Sequence, residues 1–270
     1  MSTAIITLTE KGLKTALRIE KGLEVAPFVY VFREGVKTGS LSENDAPACN
    51  LTFFSEPLSQ LIKQVFKQFD NLIFVMAVGI VVRVIAPYIK DKYSDPAVIV
   101  TDDAGRFVIS LLSGHEGGAN ALACRVAAVL HTDAVITTGT EAQKDIIVGI
   151  GCKKGVTSGA VKNAINDALG RIGLRTEQVR LISTIDVKSQ EPGLLQAVRE
   201  LDIPLRVVAT PEIAACVKEH SKSDFVKEKI GVWGVCEPAA LIAGRKTQLI
   251  LTKQKYPGVT IAIARENFMW

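Results

Sequence analysis

Aromatic residues make up only 6% of the chain, and Lys plus Arg outnumber Asp plus Glu by just 32 to 28, a net charge of +4. That excess attracts anions but lacks the clustered basic stripes and stacking rings of a nucleic-acid binder, so no nucleic-acid partner is expected. The five cysteines, Cys49, Cys124, Cys152, Cys216 and Cys236, are scattered and never form a CxxC pair. Neither a zinc knuckle nor a disulfide framework is supported, and a reducing cytoplasm fits best. No apolar run approaches the ~18 residues of a membrane span. The first residues, MSTAIITLTEKGLKTALRI, lack the basic start, long apolar core and small-residue cleavage site of a signal peptide. The expectation is a soluble cytoplasmic protein with no membrane partner and, for a ligand, an anionic small molecule.

What is present is alternation. The strand-like runs AIITL, APFVYVF, NLIFVMAV, PAVIVT and RFVISLL are interleaved with helical periods, the pattern of a mostly parallel sheet with helices on both faces. Leu58, Leu61, Ile62, Val65, Phe66 and Phe69 form an apolar stripe at three- and four-residue spacing and predict a helix. AVIVT and RFVIS are joined by DDAG, whose Asp and Gly tolerate the positive φ of a tight turn, which predicts a hairpin. A second series opens with IIVGIGCKKG and continues through a helix carrying Val161, Ala164, Ile165, Ala168 and Leu169 to the strands RLISTI, LRVVA, TQLIL and GVTIAIA. Pro192 marks the first turn of a further helix through Leu194, Leu195, Val198 and Leu201. The expected fold is α/β: two αβα-type domains, residues 1–143 and 144–270, each with a mostly parallel sheet flanked by helices.

In LLSGHEGGANALACR, residues 111–125, a strand end meets three glycines and then a helical run. Gly114, Gly117 and Gly118 let the backbone turn sharply and approach a ligand, and the following helix presents unpaired N–H groups that suit an anion. His115 can accept or donate a proton near neutral pH, and Glu116 beside it can act as base or orient the imidazole. The same residues also suit a plain tight turn in which His115 caps the helix and Glu116 complements its positive end.

The other motifs carry the same double reading. In VGIGCKKGV, Gly149, Gly151, Lys153 and Lys154 could hold carboxylates or form a solvated turn; the third glycine of a dinucleotide fingerprint is missing. Lys188 and Glu191 sit at a helix start, as an anion site or a surface pair. Glu237 stands before Pro238 at another helix start, where a carboxylate offsets the local positive potential. Lys253 and Lys255 are expected between two strands as a basic hairpin edge. Cys152 and Cys236 have no His nearby in sequence, so reactive thiols are not expected. His131 and His220 read as structural or exposed.

Together the motifs are more specific. GRFVISLLSGHEGGANALA, residues 105–123, resembles the signature of the CbiG family of cobalamin biosynthesis. VGIGCKKGV, STIDVKSQEPGLLQAVRELDIPL, GVWGVCEPAALIA and LTKQKYPGVTIAIAR resemble the family's C-terminal domain, which also occurs alone as CobE. MAVGIVVRVIAPYIKDKYSDPAVIV resembles the strand and helix before the signature, so the resemblance runs through residues 39–265 in the family's own order. The family commonly carries a variable middle segment, whereas here TTGTEAQKD runs almost directly into IIVGIG.

The resemblance implies a hydrolase of cobalt-precorrin-5A, which opens a ring lactone and releases acetaldehyde to give cobalt-precorrin-5B. The cobalt would be carried by the substrate, with no protein-bound metal or other cofactor. A many-carboxylate macrocycle suits a cleft lined by Lys and Arg. His115 and Glu116 are the candidate catalytic pair, with N–H groups at Gly117, Gly118 and Ala119 for the oxyanion. Candidate substrate-binding residues are Gly114, Gly117, Gly118, Asn120, Arg83, Arg106, Gly149, Gly151, Lys153, Lys154, Lys188, Glu191, Glu237 and Lys255. The shorter chain raises two further expectations: a homodimer that completes the site, or a non-catalytic carrier of corrinoid intermediates.

Overall fold

The computed structural model describes residues 1–36, 50–216, 231, 234–244 and 246–267. Cys49 and His220 lie outside the described residues. The chain divides into two compact units, Met1–Thr138 and Gly139–Trp270, a few residues before the boundary expected from sequence.

The first unit holds a seven-stranded sheet in the order β3-β2-β1-β4-β5-β6-β7. Its strands are β1 (Thr3–Thr7), β2 (Phe28–Phe32), β3 (Asn50–Phe54), β4 (Asn71–Val75), β5 (Ala97–Thr101), β6 (Phe107–Leu112) and β7 (Asp133–Val135). Every residue of β4 and β5 is buried, as central strands covered on both faces require, and this is why they read as unbroken apolar runs. Helices α1 (Glu10–Gly22) and α4 (Ala119–Leu130) cover one face. Helices α2 (Leu58–Val65) and α3 (Val78–Ile85) cover the other. The predicted apolar stripe of α2 is the buried one, with Phe66 and Phe69 continuing it just past the helix end.

The expected DDAG hairpin is present: β5 and β6 are antiparallel, with Val98 opposite Leu112 and Thr101 opposite Val108. Asp102 closes the turn by accepting the N–H groups of Ala104 and Arg106, and Gly105 supplies φ +67°. The consequence is positional. All pairings among β1–β5 are parallel, so β6 runs against them and ends where they begin. β7 is parallel to β6. The two short strands β3 and β7 were not anticipated, since three to five residues with mixed burial carry little periodicity.

The second unit begins with the short helix α5 (Gly139–Ala142) and has a five-stranded sheet in the order β10-β9-β8-β12-β11. The strands are β8 (Ile146–Cys152), β9 (Val179–Ile185), β10 (Leu205–Val208), β11 (Thr247–Tyr256) and β12 (Val259–Glu266). β8, β9 and β10 are parallel, and only β12 runs the other way, antiparallel to both β8 and β11. Helices α6 (Ser158–Gly170) and α7 (Pro192–Leu201) pack on one face. Helices α8 (Thr210–Ala214) and α9 (Cys236–Ile242) pack on the other. Both units therefore have the expected layered α/β fold.

One expectation is corrected here. Lys253 and Lys255 do not lie between strands but within β11; the β11–β12 turn is made by Pro257 and Gly258, the latter with φ +76°. Alternating polar residues in a half-covered edge strand look like a loop in sequence.

Candidate functional site

The loop between β6 and α4 is built by backbone constraint. Ser113 adopts φ +57° and Gly118 φ +84°; a Cβ on Gly118 would meet no atom, so only its left-handed backbone selects glycine there. Gly117 is glycine for space, because a Cβ would stand 2.4 Å from the Cβ of Ser113. The loop closes on itself: Ala119 donates its N–H to Ser113 O at 3.2 Å and Asn120 to Gly114 O at 2.9 Å. The expected oxyanion donor at Ala119 is thus already used. The N–H groups of Gly117 and Gly118 take no part in these two closing bonds.

Asn120 is buried, and its amide is engaged on both sides. Its Oδ1 accepts from Ser110 Oγ at 2.8 Å, and its Nδ2 donates to Thr138 Oγ1 at 3.0 Å. It ties the strand before the loop to the end of the unit, which is a positioning role. Gly114 permits this, since a Cβ there would come within 2.9 Å of the Asn120 Oδ1. His115 and Glu116 are exposed at the loop tip.

A second wall stands beside that tip, formed by residues 90–95 and not singled out from sequence. Lys92 Nζ meets Glu116 Oε1 at 2.5 Å, and Ser113 Oγ donates to Asp95 O at 3.1 Å. The hydrogen bond from Lys92 holds the Glu116 carboxyl below its ordinary value, and the same bond raises the Lys92 ammonium. Glu116 is therefore a carboxylate at neutral pH with its proton affinity reduced. The His115 imidazole is the neighbouring candidate at the tip.

In the second unit the candidates gather at the carboxyl ends of β8, β9 and β10, where ligands of parallel α/β sheets characteristically sit. The β8–α6 loop carries exposed Lys153 and Lys154, and the segment between β9 and α7 carries half-buried Lys188. Glu191, 8% exposed, turns inward to accept the Gly155 N–H at 2.8 Å. It is thus a fastener between the two loops and no surface partner for Lys188. Gly193 completes the fastening, since a Cβ there would lie 1.8 Å from Val156 O. Asp186 accepts the N–H of Thr210 at 2.9 Å and so ties in the β10–α8 loop. Burial pushes the Cys152 thiol up to about 11, although nearby Lys188 opposes the shift. Cys236 is pushed to about 11 by burial as well. Both are protonated, unreactive thiols at neutral pH, as the sequence suggested.

The remaining candidates are dispersed. Gly149 is buried where α9 crosses β8, with a Cβ position 1.9 Å from Cys236 O; it serves packing. Gly151 is half-buried at the end of β8, level with Thr260 of β12, which in turn pairs with exposed Lys255 of β11. Glu237 is 2% exposed and accepts the Lys253 N–H at 2.8 Å. Arg83 lies exposed on α3, donating to Gly79 O at 3.4 Å. Arg106 pairs with Asp102 at 2.7 Å. Burial pushes the Asp102 carboxyl up, but hydrogen bonds from Arg106 more than offset this and hold it low. Arg106 precedes β6 whereas His115 follows its end, so roughly 20 Å of strand separates them. Among the described residues no three His, Cys, Asp or Glu side chains converge as metal ligands, and no helix is long and apolar enough to cross a membrane.

Both units are layered α/β, one carrying a strapped His–Glu loop and the other basic loops at the carboxyl edge of its parallel strands. The family comparisons are specific. The family described as Cobalamin synthesis G N-terminal matches residues 60–141, and the one described as Cobalamin synthesis G C-terminus matches residues 146–264. A cobalt-precorrin-5A hydrolase from Priestia megaterium is 24% identical over 97% of this chain and 94% of its own length. One from Salmonella typhimurium is 52% identical over 33% of this chain and 25% of its own. Protein CobE from a Sinorhizobium species is 30% identical over 46% of this chain and 82% of its own. The chain belongs to the CbiG family of cobalamin biosynthesis and carries a CobE-like C-terminal region.

Proposed function

We propose that this chain is a cobalt-precorrin-5A hydrolase, which opens the ring lactone and releases a two-carbon fragment as acetaldehyde, leaving cobalt-precorrin-5B. The observation that carries this reading is that both parts of the family match one chain in order, with a relative of that name aligned over nearly its whole length.

In this reading His115 removes a proton from water as its oxygen attacks the lactone carbonyl. The N–H groups of Gly117 and Gly118 are the donors offered to the oxyanion. Collapse breaks the ring C–O bond and yields a carboxylate and a hydroxyl. Loss of the hydroxyl proton then drives carbon–carbon cleavage, acetaldehyde leaves, and the electron pair stays with the macrocycle until it is protonated. Glu116, ionised and paired with Lys92, supports the imidazolium electrostatically and does not take the proton itself. Lys153, Lys154 and Lys188 are the proposed anchors for peripheral carboxylates. The cobalt enters and leaves inside the substrate, so the protein supplies no cofactor. The proposed setting is the cytoplasm, with neither membrane nor nucleic acid as partner.

A second reading, a carrier that protects the intermediate without converting it, is favoured by the likeness of the C-terminal region to CobE. Incubating the purified protein with cobalt-precorrin-5A separates the two. The hydrolase changes the absorption spectrum and releases one acetaldehyde per substrate. A spectral shift without acetaldehyde rejects the hydrolase in favour of the carrier.

A further inference from the structure

The segment beside the signature loop contains an aromatic ring that the fold does not use. Tyr93 is 76% exposed and Ile89 is 43% exposed, although both stand on a tightly fastened turn. Asp91 accepts the N–H groups of Tyr93 at 2.9 Å and Ser94 at 3.2 Å, its backbone carbonyl accepts the Asp95 N–H at 3.0 Å, and Asp95 Oδ2 accepts the Lys90 N–H at 2.8 Å. A large ring held out in water by an ordered turn contributes little to folding, because burial of its apolar area is what would stabilise the chain.

The chemistry around the ring is selective. The Lys92 ammonium lies 4.9 Å from the Tyr93 ring centroid, a cation–π contact. The same ammonium meets Glu116, so Tyr93 stands one lysine away from the His115–Glu116 tip. Lys90 is exposed on the same turn. An apolar ring and side chain bordered by two ammonium groups complement a flat conjugated system fringed with carboxylates.

Resting on the hydrolase reading, we propose that Tyr93 is a substrate-positioning residue: one ring face is backed by Lys92 and the open face receives the tetrapyrrole, with Ile89 extending the platform. The platform seats the macrocycle next to the signature loop. The ring, not the hydroxyl, does this.

The test uses the full chain and cobalt-precorrin-5A, with Tyr93→Ala, Tyr93→Phe and Tyr93→Trp. Stacking on an aromatic side chain corresponds to about tenfold in affinity. Tyr93→Ala is expected to raise KM and the spectroscopic Kd about tenfold with kcat within twofold, and Tyr93→Phe to behave as the parent. The added emission of Tyr93→Trp, taken relative to the parent, is expected to be quenched on binding. Unchanged KM and Kd in Tyr93→Ala, with unquenched emission in Tyr93→Trp, overturn the proposal. So does a change in oligomeric state by sedimentation with affinity intact, which would assign the patch to a second copy of the chain. If the parent binds without releasing acetaldehyde, the hydrolase reading fails while the Kd and quenching results still decide the platform.

Discussion

The signature loop of the first unit and the basic loops of the second follow opposite structural rules. In the first unit the chain goes from β1 to β2 and β3 on one side and returns at β4 on the other, so the reversal point lies at the carboxyl ends of β1 and β4. Ligands of open α/β sheets favour that edge, yet the His115–Glu116 loop sits at the other end. The antiparallel β6 carries it there. In the second unit Lys153, Lys154 and Lys188 stand at the carboxyl edge of three parallel strands, as the general rule anticipates. The difference teaches that a single antiparallel strand carries a candidate loop to the far end of a sheet, so strand direction should be read before motif.

Each region uses both a left-handed glycine with open space, Gly118 or Gly155, and a close-packed one, Gly117 or Gly193, and substitution separates these modes. The largest effect is expected for Gly193→Ala, whose new Cβ would fall 1.8 Å from a backbone carbonyl and cost about 3 kcal/mol of overpacking. Gly118→Ala has open space and only its φ of +84° to pay for, about 1–2 kcal/mol. Urea unfolding of both variants checks the order, and equal losses would erase the distinction.

Next comes the division of labour at the tip. His115→Ala is expected to slow acetaldehyde release about a hundredfold, in the range of lost general-base catalysis, and Glu116→Ala less than tenfold. Steady-state acetaldehyde assays decide, and the reverse ranking would transfer the proton role to Glu116.

The smallest effect concerns Lys92→Met. Glu116 is held below its ordinary 4.5, mainly by the hydrogen bond from Lys92, so the unfolded chain binds that proton more readily than the folded one. The pair's contribution is complete above about pH 4.5 and is lost as the pH falls through the depressed folded value. Removing Lys92 should move the Glu116 titration up toward 4.5 in carboxyl-selective NMR. Stability at pH 7 should change little, because the two side chains are 58% and 34% exposed.

The sequence showed the layered α/β class, the β5–β6 hairpin, the α2 stripe and the Pro192 helix start, because each is a local pattern in which periodicity or turn chemistry acts over a few residues. It also showed the glycine loop, but not which glycine answers to backbone and which to space. Asn120 and Glu191 resemble ligand-facing polar residues in sequence and are fasteners in the fold. Their partners Ser110, Thr138 and Gly155 are chosen by strand order and helix packing. Lys92 and Tyr93 went unnoticed because a lysine–tyrosine pair in a polar turn is ordinary. The Asp91 and Asp95 positions around them carry the only local hint, a turn-forming pattern.

By itself the amino-acid order determined which segments become helix or strand, how many layers cover each sheet and which family the chain enters, since these depend on side-chain pattern along the chain. Tertiary structure alone decided which end of the first sheet holds His115, that Lys92 lowers the proton affinity of Glu116, and that Arg106 stands a strand's length away. The direction of β6 and the distance between residues 92 and 116 arise from how strands pair across the chain, and pairing is long-range.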